Sequence, residues 1–423
     1  MNKWIIILIT FVILIVIGVG YAFYKKSQHA QTVPIQNSQG STQKQILSTK
    51  ANPKKNPYSQ YSQGKCKGSG PVEFTYSPMK PEDIGTVQPY GIMVGAHVLP
   101  TDHGYFAPKV FNSPRDAYPV YAIADGYIIR ASHRSGSVGD GPKREHDEYQ
   151  LLFEHTCTFY TYYDLLTSLV GDVAEKVGKL EGFENKDVRI PVKAGQEIGR
   201  IGGQTVDFGV WNFELEPAKV ANPDSYKDHM DRLYLDDMYK YFAEPLKSQL
   251  LTLSARVVEP KSGTIHYDSD GRLVGNWFRE GTNGFTGLLE KSAQVGNRYW
   301  DGHLTIAYDY IDPTSIKFSI GNYQGEAAQF AVKGNAPDPK DVSVDSGLIK
   351  YELQQAGYIN GDTGAQWQFA SPIANPRLQT IAVVKGTVLV QMTDDSSLKL
   401  ELFPGKSAGE TTGFSNEARI YKR

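Results

Sequence analysis

Two stretches of the sequence decide the fold: Pro119–Ile128, which reads PVYAIADGYI, and Val192–Gly203, which reads VKAGQEIGRIGG. Each places β-forming residues on both sides of a glycine-containing turn, which predicts a strand, a tight turn and a second strand. The aromatic-rich runs Tyr149–His155 and Thr158–Tyr163 predict two more strands, and Gly209–Glu214 predicts a closing one. Short strands separated by turns predict an all-β sandwich or barrel.

These stretches follow one another in the order found in lysostaphin-type (LytM) metallopeptidases. The segments PVYAIADGYI, LLFEHTCTFYTYYDLL, VKAGQEIGRIGG and VWNFELE resemble the four conserved segments of that family, over about residues 90–217. The resemblance implies a β-sandwich of the duplicated hybrid motif type. It also implies that a single zinc ion, bound in a cleft, catalyses cleavage of the peptide bridges of cell walls.

The residues at the family's catalytic and zinc-binding positions differ in this chain. The closing HLHFE motif reads VWNFE here, so Val210 stands in place of a catalytic histidine and Asn212 in place of a zinc ligand. In the Tyr-x-His-Leu motif, Asp164 replaces the histidine. A valine cannot transfer protons and an amide oxygen is a poor zinc ligand, so the pattern favours a domain without catalytic activity.

A partial set of metal ligands remains. The family's opening His-x-x-x-Asp motif corresponds to His97–Asp102, which is one residue longer, and His103 follows directly. His97, Asp102 and His103 are therefore the candidate metal ligands, with His155 or Asp164 as a further donor. Two alternatives stay open: a domain with no cofactor, or a zinc-dependent endopeptidase with an altered ligand set.

The N-terminal segment Trp4–Phe23 has no charged residue and is about as long as a membrane-spanning helix requires. We expect residues 1–24 to be a single-pass transmembrane anchor. A cleaved signal peptide is the alternative, because small residues flank Tyr21 in the Gly-Tyr-Ala sequence. Lysines lie on both sides of the segment, so the positive-inside rule does not fix the topology. We expect the protein at the cell membrane, with most of the chain extracytoplasmic.

Residues 25–65 contain seven lysines, no acidic residue and few large apolar residues. This composition predicts a flexible basic linker, because too little apolar surface is present to offset the chain entropy lost on folding. The remainder, residues 66–423, carries a net charge of −10. An acidic body of this kind excludes a nucleic-acid-binding role, which requires a concentrated basic face.

Three regions are expected after the linker. Residues 66–225 form the metallopeptidase-like β domain, 226–254 a helical connector and 255–423 a second β domain. The connector is predicted from apolar residues at three- to four-residue spacing, namely Met230, Leu233, Tyr234, Met238, Tyr241 and Phe242. The second β domain is predicted from four strand patterns: Leu304–Tyr310, Ile316–Ile320, Thr387–Met392 and Leu398–Leu402.

The chain has two cysteines, Cys66 and Cys157. They would pair in an exported protein, but the sequence does not give their separation in space, so this question stays open.

The function expected from these patterns is that of a membrane-anchored cell-envelope protein. Its metallopeptidase-like domain would act in binding or scaffolding and recognise a glycan or peptide ligand. One alternative is the zinc endopeptidase described above. Another is that the sandwich serves as a spacer that presents the C-terminal domain.

Overall fold

The computed structural model describes residues 56–134, 147–288, 298–367, 371 and 375–423. The predicted membrane segment Trp4–Phe23, with the choice between an anchor and a signal peptide, lies outside these residues. Within the described part of the chain, no helix is long and apolar enough to cross a membrane. The described residues form a mainly β structure with two open sheets, a closed barrel and few helices.

The larger open sheet has seven strands, and every neighbouring pair is antiparallel. In chain order its strands are β1 (Ile84–Gln88), β2 (Gly104–Pro108), β4 (Gly126–Arg134), β5 (Glu148–Thr156), β6 (Phe159–Leu166), β8 (Phe183–Val192) and β10 (Val206–Asn212). Across the sheet they are arranged in the order β1-β2-β10-β6-β5-β4-β8.

A three-stranded sheet packs against the larger one. It consists of β3 (Tyr118–Tyr121), β7 (Ser168–Leu169) and β9 (Glu197–Ile201), with β9 in the centre, and helix α1 (Gly171–Val177) follows β7. Apolar residues of both sheets, including Val120 of β3 and Phe208 of β10, belong to one buried cluster. The predicted sandwich arrangement is therefore present.

The two stretches that predicted this architecture both connect the sheets. The first continues from β3 in the small sheet into β4 in the large sheet, and the second from β8 into β9. Gly202 follows β9 at a point of close backbone approach: a Cβ atom there would lie 1.8 Å from the carbonyl oxygen of Pro114. Only glycine fits at this position.

The connector differs from the amphipathic helix, interrupted near Pro245, that its periodicity predicts. Its regular structure is limited to 3-10 turns at Pro223–Tyr226 and Met230–Tyr234 and helix α2 at Leu246–Thr252. Met230 belongs to a buried cluster with Tyr226 and Phe278, whereas Met238 belongs to the core of the sandwich. The apolar residues therefore face different cores, and tertiary packing overrides the helical period.

The C-terminal region is a closed antiparallel barrel of eight strands. The strands are β11 (Gly275–Arg279), β12 (His303–Tyr308), β13 (Ile316–Tyr323), β14 (Glu326–Val332), β15 (Ile349–Asn360), β16 (Pro376–Asp394), β17 (Ser397–Pro404) and β18 (Arg419–Lys422). Pairing of Phe278 with Lys422 closes the barrel. The four strand patterns predicted from the sequence coincide with β12, β13, β16 and β17 and are confirmed.

Residues 56–65, which the sequence placed in the linker, lie within the described structure. Pro57–Ser62 form a 3-10 turn, and the ring of Tyr58 packs edge-on against Trp211 at a centroid distance of 5.5 Å. Cys66 and Cys157 form a disulfide with a Cα–Cα distance of 5.1 Å. This bond fixes the entry segment to the turn between β5 and β6, and it answers the question that the sequence left open.

The sandwich and the barrel contact each other through polar groups. The Gln329 side chain of β14 donates to the carbonyl oxygen of Gly95 and accepts from its amide, both at 2.9 Å. The Tyr310 hydroxyl donates to Oε1 of Gln88 in β1 at 3.2 Å. These buried hydrogen bonds hold the barrel against the edge of the sandwich that carries β1 and the loop before β2.

Candidate functional site

Strand β10 distributes its side chains between the two faces of the larger sheet. Its residues pair with β6 so that Asp207 lies opposite Asp164 and Val210 lies opposite Thr161. Because side chains alternate along a strand, Val210 and Asn212 share one face and Asp207 lies on the other. The positions that correspond to the family's catalytic centre are therefore divided between two faces.

The face that carries Val210 and Asn212 points into the core. Val210 is completely buried and belongs to the cluster that contains Phe74 and Phe242. The Asn212 side-chain amide donates to the Tyr241 hydroxyl oxygen at 2.9 Å, and that hydroxyl in turn donates to the Asp236 carboxylate. Both positions are thus occupied in structural contacts.

His155 also lies on this inner face and makes two hydrogen bonds. Its Nε2 is 2.9 Å from Oγ1 of Thr161, and its Nδ1 is 2.9 Å from the carbonyl oxygen of Asp125. Thr161 is the cross-strand partner of Val210. His155 is therefore not brought together with the candidate ligands His97, Asp102 and His103.

The outer face carries a buried polar cluster centred on His103. Nδ1 of His103 lies 3.0 Å from Oδ1 of Asp102, and Nε2 lies 3.0 Å from the Tyr105 hydroxyl oxygen. Oδ2 of Asp207 lies 3.5 Å from the same Nε2. Asp102 is further paired with the guanidinium of Arg232. Both ring nitrogens of His103 therefore have partners.

Asp164 belongs to the same face and has every carboxylate oxygen engaged. Arg134 donates to both oxygens, with a distance of 3.1 Å between Nη1 and Oδ2. The Gln150 side chain donates to Oδ2 at 2.9 Å, and the backbone amide of Leu165 donates to Oδ1 at 2.6 Å. These four donors fix the Asp164 carboxylate in place.

Burial sets the protonation of the cluster. It raises the pKa of Asp207 to about 7, although the neighbouring His103 opposes the shift. Burial also lowers the pKa of His103, and here Asp207 opposes the shift. Asp102 and Asp164 are each paired with an arginine, whereas burial favours the uncharged forms of His103 and Asp207.

The three predicted metal ligands do not converge on one point. Both ring nitrogens of His103 already contact Asp102, Tyr105 or Asp207, and His97 is an exposed residue whose ring centroid lies 5.9 Å from that of His103. Asp102 faces Nδ1 of His103, where its charge is compensated by Arg232. In the described ranges no group of three or more His, Cys, Asp or Glu side chains is arranged to hold a metal ion. The zinc site stays a prediction that requires rearrangement of these side chains.

Sequence reasoning missed several residues of the cluster. Asp207 could have been found, because alternation along β10 places it on the face opposite Val210 and Asn212. Tyr105 could not have been found in this way, because its pairing with Asp207 joins β2 and β10, which are far apart in sequence. Arg134 and Arg232 carry no comparable signal, because each reaches its carboxylate from a distant part of the chain.

Comparisons with known proteins give little further information. No protein-family model matches the chain, and no curated protein matches it. Among solved structures, the chain is similar to Helicobacter pylori Csd3 in its orthorhombic crystal form, with 18% sequence identity and a TM-score of 0.20. The matched region covers 34% of this chain and 32% of the other, so the chain spans about a third of the length of the structure it matches.

Proposed function

We propose that this chain is a membrane-anchored cell-envelope protein whose metallopeptidase-like sandwich acts in binding or scaffolding and does not hydrolyse peptides. Two observations support this function. The chain resembles the LytM-type peptidases in four segments, and the residues at that family's catalytic positions are engaged in contacts within the protein.

The observation that carries the proposal is the burial of Val210 and Asn212. A zinc peptidase requires an open coordination position for water and groups that transfer protons beside it. Val210 has no exposed surface, and the Asn212 amide is hydrogen-bonded to Tyr241. Asp164 is held by Arg134 on the opposite face. None of the three side chains is placed to act on a substrate carbonyl.

Two observations support a location outside the cytoplasm. Trp4–Phe23 has the length and composition of a membrane-spanning segment. The Cys66–Cys157 disulfide is a feature typical of proteins in oxidising compartments. The glycan or peptide that such a protein would bind in the envelope is part of the proposal.

The proposal is tested with the full-length chain, purified in detergent, in two parallel assays. The first measures co-sedimentation with insoluble envelope material from the source organism, and the second measures release of peptides from that material with zinc added. Binding without peptide release supports the proposal. Zinc-dependent peptide release contradicts it and favours the endopeptidase alternative, and failure to co-sediment contradicts the binding role.

A further inference from the structure

A groove lies where the connector meets the barrel, away from the polar cluster of the sandwich. It consists of two adjoining cavities of about 740 and 630 Å³, which share Ala221 and Asp270. One wall, which we call the connector wall, is segment 217–224, just before the connector, and the other is formed by the barrel segments 268–272, 343–345 and 395–396. We call this feature the junction groove. Its volume is in the range of ligand-binding clefts.

The floor of the junction groove near the connector is apolar. Met230 and Leu233 line it, with 7% and 2% of their surfaces exposed, and both belong to a buried hydrophobic cluster. Val220 lies beside them and packs against the same cluster. This part of the groove can therefore accept an apolar side chain.

The walls of the junction groove are acidic. Five carboxylates line it, against two cations, Lys219 and Arg272. The carboxylates are Asp224, Asp268, Asp270, Asp345 and Asp395. Except for Asp268, these carboxylates are exposed, and none of the four belongs to an ion pair within the described residues. The buried guanidinium of Arg423 interacts electrostatically with Asp270 and Asp395 and offsets part of the negative charge. The rest of their charge is available to a ligand.

Asp268 has a different role, because it fixes the two walls to each other. Its Oδ2 accepts from the amide of Ala221 at 3.1 Å, and its Oδ1 accepts from the amide of Asn276 in β11 at 2.9 Å. The Asn276 side chain also donates to the Tyr226 hydroxyl at 3.0 Å. These bonds tie the two walls of the junction groove together.

We propose that the junction groove binds a short extended peptide that presents a lysine or arginine side chain next to an apolar one. The apolar floor receives the apolar side chain, and the unpaired carboxylates on both walls receive the cation. An extended peptide can span two adjoining cavities, whereas a single compact molecule would occupy one of them. The inference rests on the proposed binding function and assigns it a site and a class of ligand.

The test is isothermal titration calorimetry of the full-length chain in detergent with two synthetic peptides, acetyl-Leu-Lys-Ala-Lys-amide and acetyl-Leu-Gln-Ala-Gln-amide. We expect the lysine peptide to bind at least about tenfold more tightly, and its affinity to fall when salt rises from about 0.05 to about 0.5 M, because the attraction is electrostatic. Equal affinity for the two peptides, or no binding of the lysine peptide at millimolar concentration, overturns the inference.

Variants locate the binding on the molecule. Asp270→Asn, at the point that the two cavities share, and Asp224→Asn, on the connector wall, should each weaken binding of the lysine peptide by about tenfold. Glu326→Gln removes an exposed carboxylate in β14 outside the groove and should leave binding unchanged. If the Asp270 and Asp224 variants bind as tightly as the unmodified chain, the peptide does not occupy the groove and the inference fails.

The same variants separate this inference from the function on which it rests. If the unmodified chain co-sediments with envelope material but the lysine peptide does not bind, the inference fails and the proposed function stands. If the unmodified chain does not co-sediment, the proposed function fails whatever the peptide does. A binding peptide whose affinity depends on Asp270 then still supports the junction groove as a site.

Discussion

The side-chain amide of Asn212 donates a hydrogen bond to the Tyr241 hydroxyl oxygen at 2.9 Å. Tyr241 comes from the connector, which is absent from the four segments that resemble the LytM-type peptidases. The connector therefore engages, with its own aromatic residue, the position where that family binds zinc. Phe242, the next residue, joins the buried cluster that contains Val210.

Restoring the family's histidine at position 210 should destabilise the protein. In Val210→His an imidazole replaces a fully buried valine, and we expect a loss of about 2–4 kcal/mol in the free energy of unfolding, because the ring would be buried without partners. Denaturant unfolding measures the loss. Val383→His, at a valine that is 51% exposed, is the matched control and should change stability by less than about 0.5 kcal/mol. Equal effects of the two substitutions would show that position 210 is open.

Replacement of Arg134 should lower the stability of the protein, because the Asp164 carboxylate is buried. Arg134→Met leaves Asp164 without its cation, and we expect a loss of about 3 kcal/mol in the free energy of unfolding. Arg130→Met breaks the more exposed pair with Asp187 and should cost less than about 1 kcal/mol. The prediction is wrong if the two variants unfold at the same denaturant concentration.

His303 should make the barrel sensitive to acid. Burial lowers its pKa to about 4, and the neighbouring His229 contributes in the same direction. A lowered folded-state pKa means that stability is fully present above the unfolded value of about 6.5 and is lost as the pH falls toward 4. The resulting loss in the free energy of unfolding approaches about 3 kcal/mol at the lowest pH of this range.

The measurement compares thermal unfolding of the unmodified chain and His303→Gln from pH 7 to about pH 4.5. Glutamine keeps a donor for the Gly284 carbonyl oxygen, to which Nε2 of His303 donates at 3.2 Å, but it does not titrate. The difference in Tm between the two proteins should shrink or reverse as the pH falls. Parallel curves over the whole range would contradict the assignment.

The disulfide should contribute substantially to stability. It joins residues 91 positions apart, and in the chain-entropy model a loop of that size contributes about 4.6 kcal/mol. The double variant Cys66→Ser/Cys157→Ser should lose an amount of this order, measured by denaturant unfolding. Addition of a reducing agent should lower the Tm of the unmodified chain and leave that of the double variant unchanged. A reductant effect of the same size on both would refute the prediction.

The parts of the fold that could be predicted are those encoded locally. The turn at Gly126 and the alternation from Tyr149 to His155 identify strands from a few adjacent residues. Closure of the barrel could not be predicted, because it depends on the pairing of Phe278 with Lys422, which are far apart in sequence. The connector was mispredicted because Met230 and Met238 share a helical spacing but pack into different cores.

The candidate site, too, could be predicted only where its residues are close together in sequence. His103 and Asp102 could be identified as chemically significant because they are adjacent in a motif, and the structure places them in hydrogen-bond contact at 3.0 Å. The contacts that these two residues make in the structure could not be predicted from that motif. Arg232, which compensates Asp102, comes from a connector turn that has no recognisable relation to it in sequence. Pairing across distant segments turns candidate ligands into a structural cluster.

The measurement that tests the central claim most directly is the zinc content of the full-length chain, purified in detergent without added metal and then titrated with zinc while the Tm is followed. The claim that the sandwich has no catalytic metal centre predicts no tightly bound zinc and no zinc-dependent rise in Tm. About one zinc per chain, with a Tm that falls in chelator and on His97→Ala or Asp102→Ala, would contradict it and would establish the altered ligand set as a metal centre.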